Sequence, residues 1–401
     1  MDSKYFIDLE ETYSAHNYHP LDVVIDRAEG VWVYDVDGRK YLDCLSAYSA
    51  VNQGHCHPKI MQAAVDQMQR VTLTSRAFRN DQMGPFLKEL CDLTGYEMAL
   101  PMNSGAEAVE TAVKAARKWG YQTKGVPDNQ AEIIVCNGNF HGRTTTIVGF
   151  SSEAAYREQF GPFTPGFVLI PYGDLAALEA AITPNTVGFM LEPIQGEGGV
   201  VLPPDGYLAA AADICARHNV LFIADEIQTG LGRTGRLFAS EHEGVRPDVM
   251  IIGKALSGGF YPVSAVLTDK EVLGLFKPGD HGSTFGGNPL GCAIGRAALQ
   301  VVVDEQLIER SRELGAYFKG RLERIESDVI KEVRGRGLFI GVELNVPARP
   351  FAEALRDRGI LCKETHKTVI RFAPPLVITK EEIDWAFDHI EAVLMAEQVF
   401  A

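Results

Sequence analysis

Long apolar runs are missing from this chain: none approaches the ~20 residues that a bilayer-spanning helix requires. An excess of basic charge is missing too, since 53 Asp and Glu face 38 Lys and Arg, a formal net charge of −15. A polyanionic surface is repelled by phosphate backbones and anionic membranes, so neither nucleic acid nor membrane is an expected partner. Cysteine is sparse. The 7 residues at 44, 56, 91, 136, 215, 292 and 362 have neither the density nor the even count of a disulfide framework. The start of the chain is acidic at Asp8, Glu10 and Glu11. It lacks both the basic segment and apolar core of a secretory signal and the Arg-rich character of a transit peptide. Repeats and low-complexity linkers are absent. The expectation is a cytoplasmic protein acting on small molecules. With 46% hydrophobic residues over 401 positions, it can bury a substantial core in one large domain and a smaller one.

What is present divides into three stretches. Residues 1–48 form an arm with a hairpin, since the apolar-polar runs 31–35 and 40–43 flank the turn signal Asp37-Gly38. Residues 49–304 alternate helical patterns with short apolar runs at 133–135, 167–170, 187–191, 221–224 and 249–252. That alternation predicts an α/β domain with a mainly parallel sheet flanked by helices. Residues 305–401 open with a charged helix over 305–325, continue with a strand over 337–344 and close with a helix over 380–398, a smaller α+β domain.

Two of the apolar runs end in charge. The first, 221–224, is followed by Asp225, and the second, 249–252, by Gly253 and Lys254. Parallel strands would deliver both to the carboxyl edge of the sheet, where ligands bind in open α/β folds. An acid and a lysine at one edge suggest pyridoxal phosphate (PLP), which needs an amine to hold it covalently. It also needs a carboxylate to keep its pyridine nitrogen protonated, so that the ring can withdraw electrons from a substrate carbanion. Taken alone, the two residues read better as an ion pair at a strand end.

The phosphate of such a cofactor needs a cradle, and Asn103-Ser104-Gly105-Ala106-Glu107 precedes a helical run with apolar positions Val109, Val113 and Ala116. A hydroxyl, small residues and free amides at a helix start make an anion site. The same residues also read as a capping box between Ser104 and Glu107, and the two readings are compatible. Gly230-Leu231-Gly232-Arg233-Thr234-Gly235 matches the dinucleotide pattern G-x-G-x-x-G, but five residues separate it from its strand and no helical pattern follows. A glycine-rich surface turn is expected there instead of a nicotinamide site. His16-Asn17-Tyr18-His19 and His55-Cys56-His57 offer donors at close spacing without a paired Cys-x-x-Cys, so no metal site is expected.

Taken together, Glu192-Pro193-Ile194-Gln195-Gly196-Glu197-Gly198-Gly199, the run from Ala224 to Gly235 and Gly253-Lys254-Ala255-Leu256-Ser257-Gly258-Gly259 resemble the hallmarks of class III PLP-dependent aminotransferases of fold type I. The resemblance covers nearly the whole chain. Within that family, the segments 15–20, 46–58 and 369–375 are most similar to members that act on the δ-amine of ornithine. The resemblance implies a large domain with a sheet of the seven-stranded type, and a smaller α+β domain built from the N- and C-terminal segments. It implies a ping-pong transfer from ornithine to 2-oxoglutarate, giving glutamate and glutamate 5-semialdehyde, between arginine and proline metabolism. Acetylornithine or γ-aminobutyrate are the alternative donors. A PLP-fold binding protein without turnover is disfavoured because both Lys254 and Asp225 are present.

Carried over residue by residue, the resemblance makes Lys254 the covalent tether and proton shuttle, and Asp225 the partner of the pyridine nitrogen. Gln228 would bond the cofactor's phenolic oxygen, Phe140 would stack on its ring, and Ser104, Gly105 and Ala106 would hold its phosphate. Ser283 and Thr284 would reach the phosphate of a neighbouring subunit, which implies a homodimer with shared active sites. Arg143, assisted by Tyr18, would bind the distal carboxylate of ornithine through its planar fork. Tyr48 would face the α-amino group, and Arg371 would take the α-carboxylate of glutamate, covered by Glu197 when ornithine is bound. His141 stands where animal members carry a tryptophan, a departure at the pocket wall.

Overall fold

Apolar runs without polar alternation need cover on both faces, and they have it in the computed structural model, which describes residues 2–396. Its centre is a seven-stranded sheet in the order Met98–Met102, Ser264–Thr268, Val249–Ile252, Leu221–Asp225, Thr186–Leu191, Glu132–Cys136, Phe167–Ile170. The last five pair in parallel. Ser264–Thr268 runs antiparallel to both its neighbours, so Met98–Met102 points the same way as those five. All five runs read from the sequence are strands of this sheet. The two beyond them carry weaker signals, one interrupted by Pro101 and one a short Ser-Ala-Val-Leu-Thr segment.

Successive side chains alternate between the faces. Ile133, Val135, Met190, Ile223 and Ile251 pack on the helix Gly105–Trp119. On the other face, Ile134, Phe189 and Phe222 pack on Tyr207–Arg217. Met250, Ile252 and Leu267 meet Phe86 and Leu90 of Met83–Thr94.

Two four-stranded sheets complete the fold. The hairpin Trp32–Asp35 and Lys40–Asp43 turns at Gly38, whose φ of +87 suits glycine, and gains Ile25–Glu29 on one side and the parallel strand Ile360–Leu361 on the other. The second sheet has the order Ile330–Arg336, Phe339–Leu344, Val369–Phe372, Lys363–Thr365. Leu42 of the hairpin shares one apolar core with Leu307, Phe318, Ile370 and Phe387, so the two ends of the chain fold together. The charged helix expected over 305–325 spans Leu307–Leu322. The last helix, Lys380–Leu394, opens with a Thr379–Glu382 capping box, and its expected end at 398 lies outside the described residues. The division expected at 48 falls inside the turn Ser46–Ser49, and that at 304 at the end of helix Pro289–Asp304.

The glycine-rich turn expected on the surface is buried. Leu231, Arg233 and Thr234 are shielded from solvent because a Cβ on Gly230 would meet the Glu226 carbonyl at 2.8 Å, and one on Gly235 the backbone of Arg312 at 2.9 Å. Only glycines allow the loop to wedge against helix Leu307–Leu322. Its Arg233 is fully buried and has no carboxylate within ion-pair distance among the described residues. Nη1 donates to the carbonyls of Leu338 (2.9 Å) and Pro374 (2.6 Å), and Nη2 to Asn52 Oδ1. Burial pulls the guanidinium down to about 9. Arg233 thus ties the loop after Leu221–Asp225 to the second small sheet and to the segment after the hairpin. In Arg233→Ala three buried acceptors lose their donor, at about 1–3 kcal/mol each. A loss of roughly 3 kcal/mol or more should appear as a lower denaturant midpoint. A midpoint matching the parent would show that this arginine does not hold the parts together.

Candidate active site

Strands running in one direction carry their carboxyl ends to one edge, where a ligand can bind outside the sheet. Ser104 follows Met98–Met102, Phe140 lies beyond Glu132–Cys136, and Glu192 follows Thr186–Leu191. Asp225 ends its own strand and Lys254 follows Val249–Ile252. One cavity is lined by Gly105, Ala106, Phe140, Asp225, Gln228 and Lys254.

Lys254 opens a single turn with φ at +45, a left-handed conformation that costs a non-glycine residue energy and often marks a functional position. Burial pulls its amine below the usual range, while the negative charges of Asp225 and Glu197 pull it back. The net direction leaves more neutral amine than a surface lysine would have, which favours a nucleophile and proton carrier. Asp225 is buried; its Oδ2 accepts from His141 Nδ1 at 2.6 Å and its Oδ1 from the Ile227 N–H at 3.0 Å. For His141 burial opposes the charged form, but the bond to Asp225 and its charge outweigh that and raise the imidazole. His141 therefore does more than shape the pocket wall: from behind, it fixes the carboxylate and supplies compensating charge. Glu192, which the strand-end argument should also have singled out, accepts from the amides of Phe140 (2.8 Å) and Gly196 (3.3 Å). Burial raises its carboxyl to about 7.

Ser104 caps the 15-residue helix Gly105–Trp119, and the capping box with Glu107 is complete. The first amides of a helix have no carbonyl four residues back, so those after Ser104 remain suited to an anion. Ser283 Oγ accepts from Asn103 Nδ2 (2.9 Å) and the Gly286 amide (3.1 Å). Thr284 next to it is exposed.

The substrate side gathers Arg371 and Lys363 from the second small sheet and the remaining groups from loops and turns around the cavity. Arg371 is 1% exposed; its Nη1 donates to Glu197 Oε1 at 2.8 Å and to Gln228 Oε1 at 3.3 Å. Gln228 Nε2 in turn donates to Glu197 Oε1 at 3.2 Å. A Cβ on Gly196 would meet Gln228 Oε1 at 1.6 Å, so glycine is required to seat that amide. Desolvation raises the Glu197 carboxyl, but the charge and hydrogen bond of Arg371 prevail and hold it low. The Tyr48 ring lies 5.2 Å from the Arg371 guanidinium carbon. Arg143 stacks 3.7 Å from the Tyr156 ring centre and has no carboxylate within ion-pair distance among the described residues. Tyr18, 69% exposed, lines one cavity with Arg143 and Tyr156 and another with Tyr48 and Lys363. Tyr156 and Lys363 have no sequence signal beyond their type, and only the fold brings them here.

These groups fit PLP. A lysine amine, a buried carboxylate backed by an imidazole, an aromatic ring and a capped helix start surround one cavity, matching aldehyde, pyridine nitrogen, ring face and phosphate. His141 Nε2 is also buried without a partner, leaving polar capacity on that side. His55 and His57 instead meet Asp43 (2.8 Å) and Glu305 (3.1 Å).

Comparison with known proteins agrees. The model of the aminotransferase class-III family matches residues 13–394. The chain is 64% identical over 392 residues to an ornithine aminotransferase of Bacillus subtilis, covering 98% of each. It is 63% identical over 388 residues to one of Brevibacillus brevis, covering 97% of each. The solved ornithine aminotransferase of Toxoplasma gondii, with PLP at partial occupancy in its active site, superposes with a TM-score of 0.98 at 46% identity, covering 100% of this chain and 96% of that one. An acetylornithine aminotransferase of Elizabethkingia anophelis gives 0.90 at 50% identity, covering 98% and 99%. With its strand-end lysine and acid, its capped cradle and these relatives, the chain belongs to the class-III aminotransferase family.

Proposed function

We propose that this protein is a PLP-dependent L-ornithine:2-oxoacid 5-aminotransferase, moving the δ-amino group of ornithine to 2-oxoglutarate to give glutamate 5-semialdehyde and glutamate. The observation that carries the reading is the Arg371–Glu197 pair: a buried guanidinium neutralised by a carboxylate that is itself partly exposed, its side chain 25% accessible. Ornithine must present its δ-amine with no carboxylate beside it, whereas glutamate presents an α-amine with one. A covered Arg371 suits the first; displacement of Glu197 by an incoming carboxylate suits the second. The relatives named ornithine aminotransferase support the same reading.

When bound, PLP supplies an electron sink for the carbanion at the amine-bearing carbon of the substrate. Gly105 and Ala106 would hold its phosphate through helix-start amides, with Ser104 adding a hydroxyl. Asp225 would keep the pyridine nitrogen protonated, held in place by His141. Gln228 would bond the phenolic oxygen and Phe140 would pack on the ring. Lys254 would carry the proton at Nζ, helped by the lowered basicity of its buried amine. Arg143 and Tyr18 would hold the distal carboxylate, and Tyr48 would read the α-amino-acid end of ornithine. Ser283 and Thr284 would complete the phosphate site of a second copy, making the protein a homodimer with shared sites. The composition favours the cytoplasm, and the product would cyclise and link arginine to proline metabolism.

A panel of ornithine, acetylornithine and γ-aminobutyrate, with 2-oxoglutarate as acceptor, tests the assignment. Ornithine should have the highest kcat/KM by at least about tenfold, since a site built around a substrate's polar group discriminates strongly against analogues lacking it. A higher value for either other donor would replace this reading with that activity. Lys254→Ala should still bind PLP through phosphate and ring contacts, yet lose the absorbance of the covalently held cofactor. Its turnover should fall by at least about 10²–10⁴, the usual share of proton transfer alone. Turnover near the parent's would remove Lys254 from the chemistry. Glu197→Ala exposes Arg371 and should shift reaction toward the α-amine, by roughly one to two decades in the δ-to-α ratio for a charge-assisted contact. Product analysis showing only glutamate 5-semialdehyde from ornithine, with no faster glutamate half-reaction, would make Glu197 a structural partner of its turn.

A further inference from the structure

Lys363 sits directly across the antiparallel pair Lys363–Thr365 and Val369–Phe372 from Arg371. Side chains of directly opposed residues share one face of a sheet, and like charges in that arrangement destabilise it. One carboxylate, Glu197, neutralises Arg371, but Lys363 has no carboxylate within ion-pair distance among the described residues. Its Nζ instead donates to the Tyr48 hydroxyl at 3.2 Å and lies 5.6 Å and 6.0 Å from the ring centres of Tyr48 and Tyr18. A half-buried, unpaired cation facing a cavity, kept where pairing rules oppose it, calls for an anion from outside.

We infer that Lys363 is a further substrate-binding residue: with the Tyr48 hydroxyl it forms a second cationic arm, opposite Arg143, for the distal carboxylate of the amino donor and of the 2-oxo acid. The inference rests on the aminotransferase reading above and deepens it. Lys363 occupies a lone pair of the Tyr48 oxygen and leaves the phenolic O–H to donate, so the pair offers one donor and one positive charge. That polarity suits a carboxylate, so Tyr48 reads the carboxylate of ornithine through its O–H while its remaining lone pair still faces the α-amine. Tyr18 links the two arms: it lines one cavity with Lys363 and Tyr48 and the neighbouring one with Arg143 and Tyr156.

The test uses the holoenzyme with Lys363→Met and Lys363→Arg. The amine-to-cofactor half-reaction is followed by its spectral change with ornithine and with 1,4-diaminobutane, which is ornithine without its carboxylate. Lys363→Met should raise the apparent dissociation constant for ornithine about tenfold, the scale of one charge-assisted hydrogen bond, with the limiting rate within about threefold. The second-order constant for 1,4-diaminobutane should hold or rise, and Lys363→Arg should restore most of the ornithine binding. Competitive inhibition by pentanoate, weakened about tenfold, against pentylamine, unchanged, reads the same contrast where diaminobutane turns over too slowly. An unchanged ornithine constant, or equal losses for carboxylate-bearing and carboxylate-free ligands, overturns the inference. Should the parent enzyme reject ornithine but accept acetylornithine or γ-aminobutyrate, the proposed donor falls. The same contrast, run with the accepted donor, still decides the role of Lys363, because both carry a carboxylate.

Discussion

The site is organised around one pairing: Arg371, a guanidinium at 1% exposure, is held against the Glu197 carboxylate. Glu197 and Gln228 close a three-membered network on Nη1, while Nε and Nη2 remain buried without partners. Removing the carboxylate from such a pair typically costs about 3–5 kcal/mol, because an uncompensated charge is left behind. The pair is asymmetric: the cation is locked in a central strand of the small sheet, whereas the anion sits in a turn and reaches solvent. A carboxylate arriving from outside can therefore take the place of Glu197 at little cost in net charge, which is what exchange between two unlike substrates demands.

The same accounting reaches the sheet edge. Asp225, Glu192 and Glu197 bring negative charge to the cavity, and Lys254 and Arg371 bring positive charge, with His141 as the member that adjusts. Its raised imidazole follows from Asp225 and from the charge of Glu192 behind it, against the cost of burial. Glu192, at about 7, is the carboxylate that most easily takes a proton. Strong hydrogen bonds to Asp225 and to the Phe140 amide hold the wall and the acid in one register. The side chain of Phe140 is thus placed by its own backbone bond to Glu192 and by its edge-to-face contact with Tyr156, at 6.2 Å between ring centres.

The large sheet was legible because strands buried on both faces must be apolar throughout, so their polar ends stand out. Asp225 and Lys254 could be found that way, and Ser104 from its cap. The antiparallel strand Ser264–Thr268 was not, since five residues with two hydroxyls do not distinguish an inner strand from a turn. The turn at 230–235 misled for a physical reason: glycines signal a tight backbone, and whether tightness serves exposure or close packing depends on what lies opposite, here Arg312. Lys363 was invisible because its meaning arises only from pairing with Arg371 and from the fold of Tyr48 over both.

That fold is the least predictable part of the site. Ser46, Ala47, Tyr48 and Ser49 all adopt left-handed φ values between 47 and 70, a run that costs roughly 1–2 kcal/mol per residue. The surroundings over-determine it. Asp43 Oδ1 accepts from the amides of Leu45 (2.8 Å) and Ser46 (2.9 Å), while its Oδ2 takes His55. Ser46 Oγ donates to the Ala373 carbonyl at 2.6 Å, and the Ala373 amide donates to the Cys44 carbonyl at 2.7 Å. The strained turn is thereby clamped two residues past Arg371, so Tyr48 and the guanidinium cannot move independently. A right-handed turn over the same residues would aim the phenol elsewhere. The left-handed one lays it across the two cations, and the clamp that maintains the strain also fixes their geometry.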